Sequence, residues 1–347
     1  MRAAADFGES KPGGRARKSL CLDPSRAANC AAPAAMLASF LTTIFFSLSV
    51  IFAARSARVL GGPVANLGRL SVATVLLAIW AHGFGEGLRG ASLPWFFWSG
   101  VIGFGLGDIA LFGALPRIGP RLSILLTQCL AAPVAAVTEW VWLGTTLRSV
   151  DLVCAGITLG GVAIALAPDR GVQVDRRTFW IGVLCGIGSA LGQAGGAVLS
   201  RKANEVAALT QFPIDGGTAA YQRIVGGVLM TLVAFVLFRR TRPVEETARA
   251  DRWRIGWPLV LANALAGPTV GVACYQWALR TTASGIVLPI VATAPLVTIV
   301  LSFFIEGLRP TRRAVWGGLV AVAGAIALKD AQSNWWMFST LRKLLNI

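Results

Sequence analysis

The chain has 347 residues, of which 55% are hydrophobic and only 14% are charged, and its mean hydropathy is +0.66. A soluble domain has about a quarter of its residues charged, so one soluble core of this composition would leave too little polar surface. The formal net charge of +16 does not favour nucleic-acid binding, because the basic residues lie mainly in the N-terminal tail and in short loops.

The first residues, "MRAAADFGESKPGGRARKSLCLDPSRAANCAAPAA", contain no long apolar run and are rich in Ala, Arg, Gly and Pro. This composition predicts a disordered tail over residues 1–33. The tail lacks the apolar segment that directly follows a basic start in a secretory signal, so we do not expect cleavage. The alternative is that translation starts at Met36.

Ten apolar stretches follow the tail, and most approach the roughly 20 residues that an α-helix needs to cross a hydrocarbon core of about 30 Å. The sequence therefore predicts an all-α membrane protein with about ten transmembrane helices. The predicted spans are 34–54, 68–85, 94–113, 121–142, 150–167, 179–199, 217–238, 255–279, 283–305 and 313–328.

The two halves of the chain resemble each other. "GFGLGDIALFGAL" (103–115) aligns without a gap on "GPTVGVACYQWAL" (267–279), and each copy has glycines four residues apart. The next pair of spans aligns Pro133 near Pro295, and Arg69 corresponds to Arg223. We predict repeats over 34–168 and 178–329, followed by a tail over 330–347. Five spans per repeat make the second repeat enter the membrane in the opposite direction, as in many secondary transporters.

Prolines within the apolar stretches predict bends. Pro289 and Pro295 lie in the middle of the ninth span, and Pro133 lies in the fourth. Proline removes an amide donor and frees a carbonyl of the preceding turn, which is tolerated where neighbouring helices or a wet cavity satisfy it. A purely structural kink and a gating hinge are both open readings.

Polar groups inside the spans are few. Asp108 is taken as the only acid well inside a span, where it either binds a proton during transport or is a protonated or paired structural acid. The neutral groups could bind substrate or form interhelical hydrogen bonds, and they are Gln128, Gln193, Asn263, Tyr275 and Gln276. Arg69 and Arg223 lie near predicted span ends, where reaching lipid phosphates is favoured over contacting an anionic substrate.

The arginine at the second span, the Ala-Leu end of the third, the proline of the fourth, "IEGL" at 305–308 and "WGGLVAVAGAIAL" at 316–328 together resemble the EamA repeat. That repeat belongs to the drug/metabolite transporter superfamily, and the resemblance covers residues 36–330. It implies two inverted five-helix repeats and a transporter for which export is favoured over import. One departure is that Glu306 matches the family's Leu-Gly-Glu, whereas Thr145 stands there in the first half.

The predicted function is a secondary transporter that moves a small metabolite or xenobiotic across the inner membrane by alternating access. The alternative is a non-transporting scaffold or a channel-like protein. We see no phosphate-binding, zinc-binding or nucleophile motif, so we expect no enzyme activity, cofactor or metal. Expected partners are the substrate and the bilayer, with no nucleic acid and with room for a homodimer. Both termini are predicted in the cytoplasm, although the basic loop 239–254 conflicts with the basic tail.

Overall fold

The computed structural model describes residues 24–145, 147–166, 175–241, 250–306 and 311–327. These residues are almost entirely helical and contain no β-strand. Eight helical segments are long and apolar enough to cross a membrane, and Ser149–Ala165 is a shorter apolar helix. The prediction of an all-α multi-pass membrane protein is confirmed. Residues 1–23 and the predicted tail 330–347 lie outside the described residues.

The first half begins with two long helices, α1 and α2. The helices of this half are α1 (Pro24–Leu60), α2 (Gly62–Gly83), α3 (Leu93–Gly100), a π-helical segment (Val101–Gly107), α4 (Asp108–Leu143) and α5 (Ser149–Leu166). α1 begins ten residues before the predicted span, in an Ala-rich stretch of high helix propensity. α2 begins at Gly62 rather than at residue 68, because Gly61 has a φ of 84° and a proline occupies the first turn of the helix.

The second half contains the corresponding set of helices. They are α6 (Arg176–Leu209), α7 (Gly216–Thr241), α8 (Ala250–Ala264), a second π-helical segment (Leu265–Gly271), α9 (Val272–Thr281), α10 (Ser284–Val291), α11 (Ala294–Glu306) and α12 (312–327). Most of their ends lie within several residues of the predicted spans, but α6 runs ten residues past the predicted end at residue 199. The ninth span differs, because its helix is interrupted at Ala292 and Thr293.

Helix α4 supplies part of the third predicted span and all of the fourth. In the first part of α4, residue numbers rise while those of the contacting residues in α6 fall, with Gly113 near Cys185 and Ile118 near Gly182. In the later part both sets of numbers rise, with Leu126 near Gly186 and an ion pair between Glu139 and Arg201. The chain therefore reverses direction between residues 118 and 126, beside prolines at 116 and 120, which are the usual cause of sharp kinks.

The two halves share an unusual backbone feature. The two π-helical segments each contain seven residues and occupy the positions that the sequence alignment equates. The first contains Gly103 and Gly107, and the second contains Gly267 and Gly271. π-Helical turns are rare in proteins and are often found at functional sites. A matching pair marks these segments as equivalent parts of two related units.

Equivalent helices of the two halves pack against each other in opposite directions. Between α5 and α12, Gly161 contacts Ala321 and Gly324 contacts Thr158, so residue numbers rise in one helix as they fall in the other. α2 and α7 behave in the same way, with Leu70 and Leu77 in one apolar cluster with Ile224 and Ala220. Two repeats of opposite orientation would produce this packing.

The helix bundle has two ends, and helices pack at both of them. At the first end, defined by residues 80–89, 139–148, 201–217 and 280–284, Trp80 bonds to Asp215 and Arg201 bonds to the carbonyls of residues 279 and 280. At the second end, Leu60 of α1 contacts Gly256 of α8. Every residue of α10, which starts at the first end, is buried. The helices are therefore tightly packed near the first end.

Candidate functional site

Asp108 and Arg69 form an ion pair between membrane-crossing helices. The Nη2 atom of Arg69 lies 3.0 Å from Oδ2 of Asp108, and the two side chains are 18% and 21% exposed. Nε of Arg69 also donates to Oδ1 of Asn66 at 2.7 Å. A charge at mid-membrane costs about 2.5–3.5 kcal/mol unless it is paired or faces a cavity. Arg69 is inside α2 and not at its end, so the favoured contact with lipid phosphates is wrong; the predicted span began too late.

Arg223, the repeat equivalent of Arg69, is also inside the bundle but has different surroundings. Its side chain is 4% exposed, and its Cζ atom lies 4.8 Å from the ring centroid of Phe104 and 5.6 Å from that of Tyr275. Among the described residues it forms no ion pair, and Nε has no hydrogen-bond partner. The favoured contact of Arg223 with lipid phosphates is therefore also wrong.

Two glycines make room for this guanidinium. A methyl group on Gly103, in the first π-helical segment, would lie 2.6 Å from Nη2 of Arg223, and one on Gly196 of α6 would lie 3.0 Å from it. Gly107 and Gly192 also meet backbone to backbone. The glycines predicted to allow close helix approach thus hold α6 against the π-helical segment and leave space for an arginine side chain between them.

Two of the neutral candidates lie on the helix that faces Arg223. The Tyr275 hydroxyl is buried and has no hydrogen-bond partner in the described part of the chain. Nε2 of Gln276 donates to Ser200 Oγ at 3.1 Å, but Oε1 of Gln276 has no partner there. The hydroxyl of Ser200 also lies 2.8 Å from the hydroxyl of Ser99, at hydrogen-bonding distance. α9 therefore carries a polar group with unused hydrogen-bonding capacity beside Arg223.

The other neutral candidates are arranged differently. Asn263 is 1% exposed and accepts a hydrogen bond from Ser49 Oγ at 2.6 Å, which joins α8 to α1. Gln128 of α4 has a buried Oε1 without a partner among the described residues. Gln193 is half-buried on α6, between Gly192 and Gly196. Asn263 thus takes the helix-packing role that was one of the two readings for this set.

The prolines lie in unlike settings. α4 continues as a helix through Pro133, which is exposed. Pro289 is buried inside α10, and Pro295 follows the interruption at Ala292 and Thr293. Side chains of α1 satisfy carbonyls at this interruption, because Thr43 donates to the carbonyl of Ile290 at 3.2 Å and Ser47 donates to that of Ala294 at 2.7 Å. A neighbouring helix therefore supports the broken helix.

Sequence reasoning missed a second buried acid, Glu139, although the residue falls within the predicted span 121–142. Its side chain is 2% exposed and pairs with Arg201 Nε at 3.0 Å. It also accepts hydrogen bonds from the backbone amide of Ser284, at 2.8 Å, and from the Ser284 hydroxyl. Arg201 donates to the carbonyl of Leu279 at 2.7 Å. Glu139 lies at the first end of the bundle, four residues before α4 ends, and the "TEWVW" stretch was the available signal.

A polar cluster lies at the first end, outside the spans. Asp215 precedes α7 and accepts hydrogen bonds from Trp80 Nε1 at 3.0 Å, from the amides of Gly217 and Thr218, and from the Thr218 hydroxyl. Burial raises the pKa of Asp215, but these hydrogen bonds outweigh it, so the pKa lies below its usual value. A nearby surface cavity of about 330 Å³ is lined by residues that include His82, Glu86 and Arg89. His82 lies 3.3 Å from the Tyr221 hydroxyl.

Two further predictions concern Glu306 and metal binding. Helix α11 ends at Glu306, but the structure does not describe the side chain of this residue. Within the described ranges, no group of three or more His, Cys, Asp or Glu residues is arranged to hold a metal ion.

Comparison with known proteins supports the family resemblance. Residues 180–328, which run from α6 to the end of α12, match the sequence model of the EamA-like transporter family. Over these residues the chain is similar to that family, as the sequence predicts. The matched range contains the second predicted repeat almost entirely.

Two further comparisons concern the fold and the sequence of the whole chain. A solved structure, described only as the crystal structure of a protein, is similar with a TM-score of 0.66 and 18% sequence identity. The similarity covers 85% of this chain and 96% of the other chain, so the fold extends across both halves. No curated protein sequence matches the chain.

Proposed function

We propose that this EamA-like protein is a secondary transporter that moves a small metabolite or xenobiotic across the inner membrane by alternating access, with export favoured over import. One observation carries the proposal. Two arginines at corresponding positions of the halves, Arg69 and Arg223, lie inside the helix bundle, and Arg69 is paired there with Asp108. Buried ionisable groups of this kind mark substrate and ion pathways in membrane proteins.

Reciprocal packing of the two halves supports alternating access. The first π-helical segment packs on α6 of the second half, and the second π-helical segment packs on α1 of the first half. Inverted repeats allow a transporter to exchange the conformations of its two halves around a central site. The matched segments are suited to such an exchange because each half holds the same element against the other.

The contacts at the first end of the bundle support a state that is closed there. Glu139, Arg201 and Ser284 link α4, α6 and the start of α10 there, and Glu139 is almost fully buried. Arg69 and Asp108, nearer the second end, remain partly exposed. Opening the first end would require this network to separate. The interruption at Ala292 and Thr293 is our proposed hinge, with Pro289 and Pro295 on either side.

Asp108 is our candidate for proton coupling. Protonation would remove the charge of Asp108 and leave Arg69 without its ion-pair partner. Proton binding would therefore change the net charge of the site to which the substrate binds. Asp108→Asn should fold normally, lose accumulation driven by a pH gradient, and retain substrate exchange across vesicles. Unchanged gradient-driven accumulation in a well-folded variant would remove the coupling role, whereas reduced expression or thermal stability would indicate a structural acid.

The proposed orientation places both termini in the cytoplasm, which also places the first end of the bundle there. Reporter fusions after Lys329 and within residues 244–251 test this. A cytoplasmic 244–251 loop together with an external C-terminus would reverse the orientation and leave the transport proposal intact.

Transport itself is tested in vesicles. Metabolite profiling of cells with and without the protein nominates a substrate, and the purified full chain is then reconstituted for counterflow. Saturable counterflow supports a transporter. Ohmic current would instead indicate a channel, and the absence of both would indicate a scaffold. Crosslinking in the same vesicles tests the predicted homodimer.

A further inference from the structure

We propose that Arg223 and the Tyr275 hydroxyl form a binding site for the carboxylate of a small organic anion. The inference rests on the proposed transport function only in taking this anion as the substrate; the binding site itself is testable without transport. The two groups come from α7 and α9, which pack on each other in the second half of the bundle.

The unpaired state of Arg223 is the first observation. Arg223 is only 4% exposed. No acid within the described residues forms an ion pair with it. Its ring contacts with Phe104 and Tyr275 stabilise the cation without using its hydrogen-bond donors. A buried charge without hydrogen-bonding partners is unfavourable, so the geometry favours an anion that arrives from outside the protein.

The nearby hydrogen-bond donors are the second observation. Nε of Arg223 and the hydroxyl of Tyr275 are both buried without partners among the described residues. A carboxylate accepts hydrogen bonds on two oxygens, and a guanidinium is the side chain best shaped to bind it. The same ligand would therefore satisfy both groups.

The local charge balance is the third observation. The charged groups around Arg223 and Tyr275 include two ion pairs, Arg69 with Asp108 and Arg201 with Glu139. Each pair is neutral by itself. Arg223 therefore leaves one positive charge, which a monocarboxylate would neutralise.

Aromatic rings around Arg223 indicate the rest of the ligand. The rings of Phe104 and Tyr275 both contact the guanidinium. The ring centroid of Phe46 lies 6.3 Å from that of Tyr275. Such surroundings suit a flat apolar body attached to the carboxylate. Benzoate is therefore the appropriate probe, and benzamide, which has nearly the same shape without the charge, is its matched control.

The test is the unfolding temperature of the purified full chain in detergent, measured against benzoate or benzamide at constant ionic strength. Benzoate should raise it saturably and benzamide should not. Arg223→Gln should weaken the apparent benzoate affinity about tenfold or more, because a charge-assisted contact is lost. Arg280→Gln, which alters an exposed arginine, should leave the benzoate response unchanged.

A second variant keeps the inference testable if Arg223→Gln does not fold. Tyr275→Phe retains the ring and removes only the hydroxyl, and it should weaken benzoate binding about threefold to tenfold. Equal responses to benzoate and benzamide, or an unchanged benzoate response in either variant, would overturn the site. Benzoate binding without counterflow of any substrate would contradict the transport proposal alone. Counterflow of a substrate without benzoate binding would contradict the anion site alone.

Discussion

Arg69 and Arg223 occupy equivalent positions in the two halves, yet only one of them has an acidic partner. Asp108 pairs with Arg69, whereas the position equivalent to Asp108 in the second half is Val272. Val272 is 3% exposed and packs in one apolar cluster with Ile224, the neighbour of Arg223 in the chain. The first half therefore balances its arginine internally, and the second half does not.

This difference separates what the repeated scaffold requires from what one half has added. Arginine at the second helix, a π-helical segment in the third and a proline in the fourth occur in both halves. The acid occurs in one. Arg201, a partly buried arginine elsewhere in this chain, is also paired with a carboxylate, that of Glu139. Arg223 stands apart from both paired arginines in the described structure.

Breaking a paired arginine should have the largest effect on stability. Glu139→Ala would leave Arg201 without its acid and the amide of Ser284 without its acceptor, and we expect a loss of about 3–5 kcal/mol in the free energy of unfolding. Denaturant unfolding in detergent measures this. Glu139→Ala combined with Arg201→Ala should recover part of the loss. If the double variant is less stable than the single variant, the ion pair is not the cause.

Giving the second half its own acid should remove the asymmetry. Val272→Asp places a carboxylate at the position equivalent to Asp108, where it should pair with Arg223 and compete with an anionic ligand. We expect benzoate affinity to fall about tenfold, equivalent to about 1.4 kcal/mol. Val272→Asn, which has nearly the same shape without the charge, is the control. Equal losses in both variants would indicate disturbed packing rather than charge compensation.

The smallest effect on stability is expected at Asp215, an acid that is stabilised by hydrogen bonds and not by an arginine. Asp215→Asn should cost about 0.3–1 kcal/mol at neutral pH, because it removes the negative charge that accepts the first amides of α7 at the helix N-terminus. A pKa below the usual 3.8 means that the charged form contributes stability above pH 3.8 and loses it as the pH falls through the lower folded-state pKa. The difference between the wild type and the variant should therefore disappear in acid. A constant difference across pH would contradict this.

The sequence was sufficient for the helices and their repetition, because apolar length and the glycine spacing are local signals. The predicted boundary of α2 was late because the Gly61-Gly62-Pro63 start was read as a loop. That error moved Arg69 to a span end and suggested contact with lipid. The direction of a side chain on a membrane helix depends on its neighbours, which a single sequence does not provide.

The site was predicted only in part. Arg223, Tyr275 and Gln276 were named separately, but their proximity depends on how α6, α7 and α9 pack around Gly103 and Gly196. Glu139 is a single acid among bulky apolar residues near the end of a predicted span, and this position alone does not show that its side chain is buried. Its partners Arg201 and Ser284 are 62 and 145 residues away in the chain. Such pairings arise from tertiary structure.

The most direct test of the central claim compares stability and binding in Arg223→Met. The claim is that Arg223 is held unpaired for a ligand, so replacing it with a flexible apolar side chain should leave the unfolding temperature unchanged or higher. Benzoate should then no longer raise that temperature. A variant with a much lower unfolding temperature and an intact benzoate response would show that Arg223 stabilises the bundle and does not bind the anion.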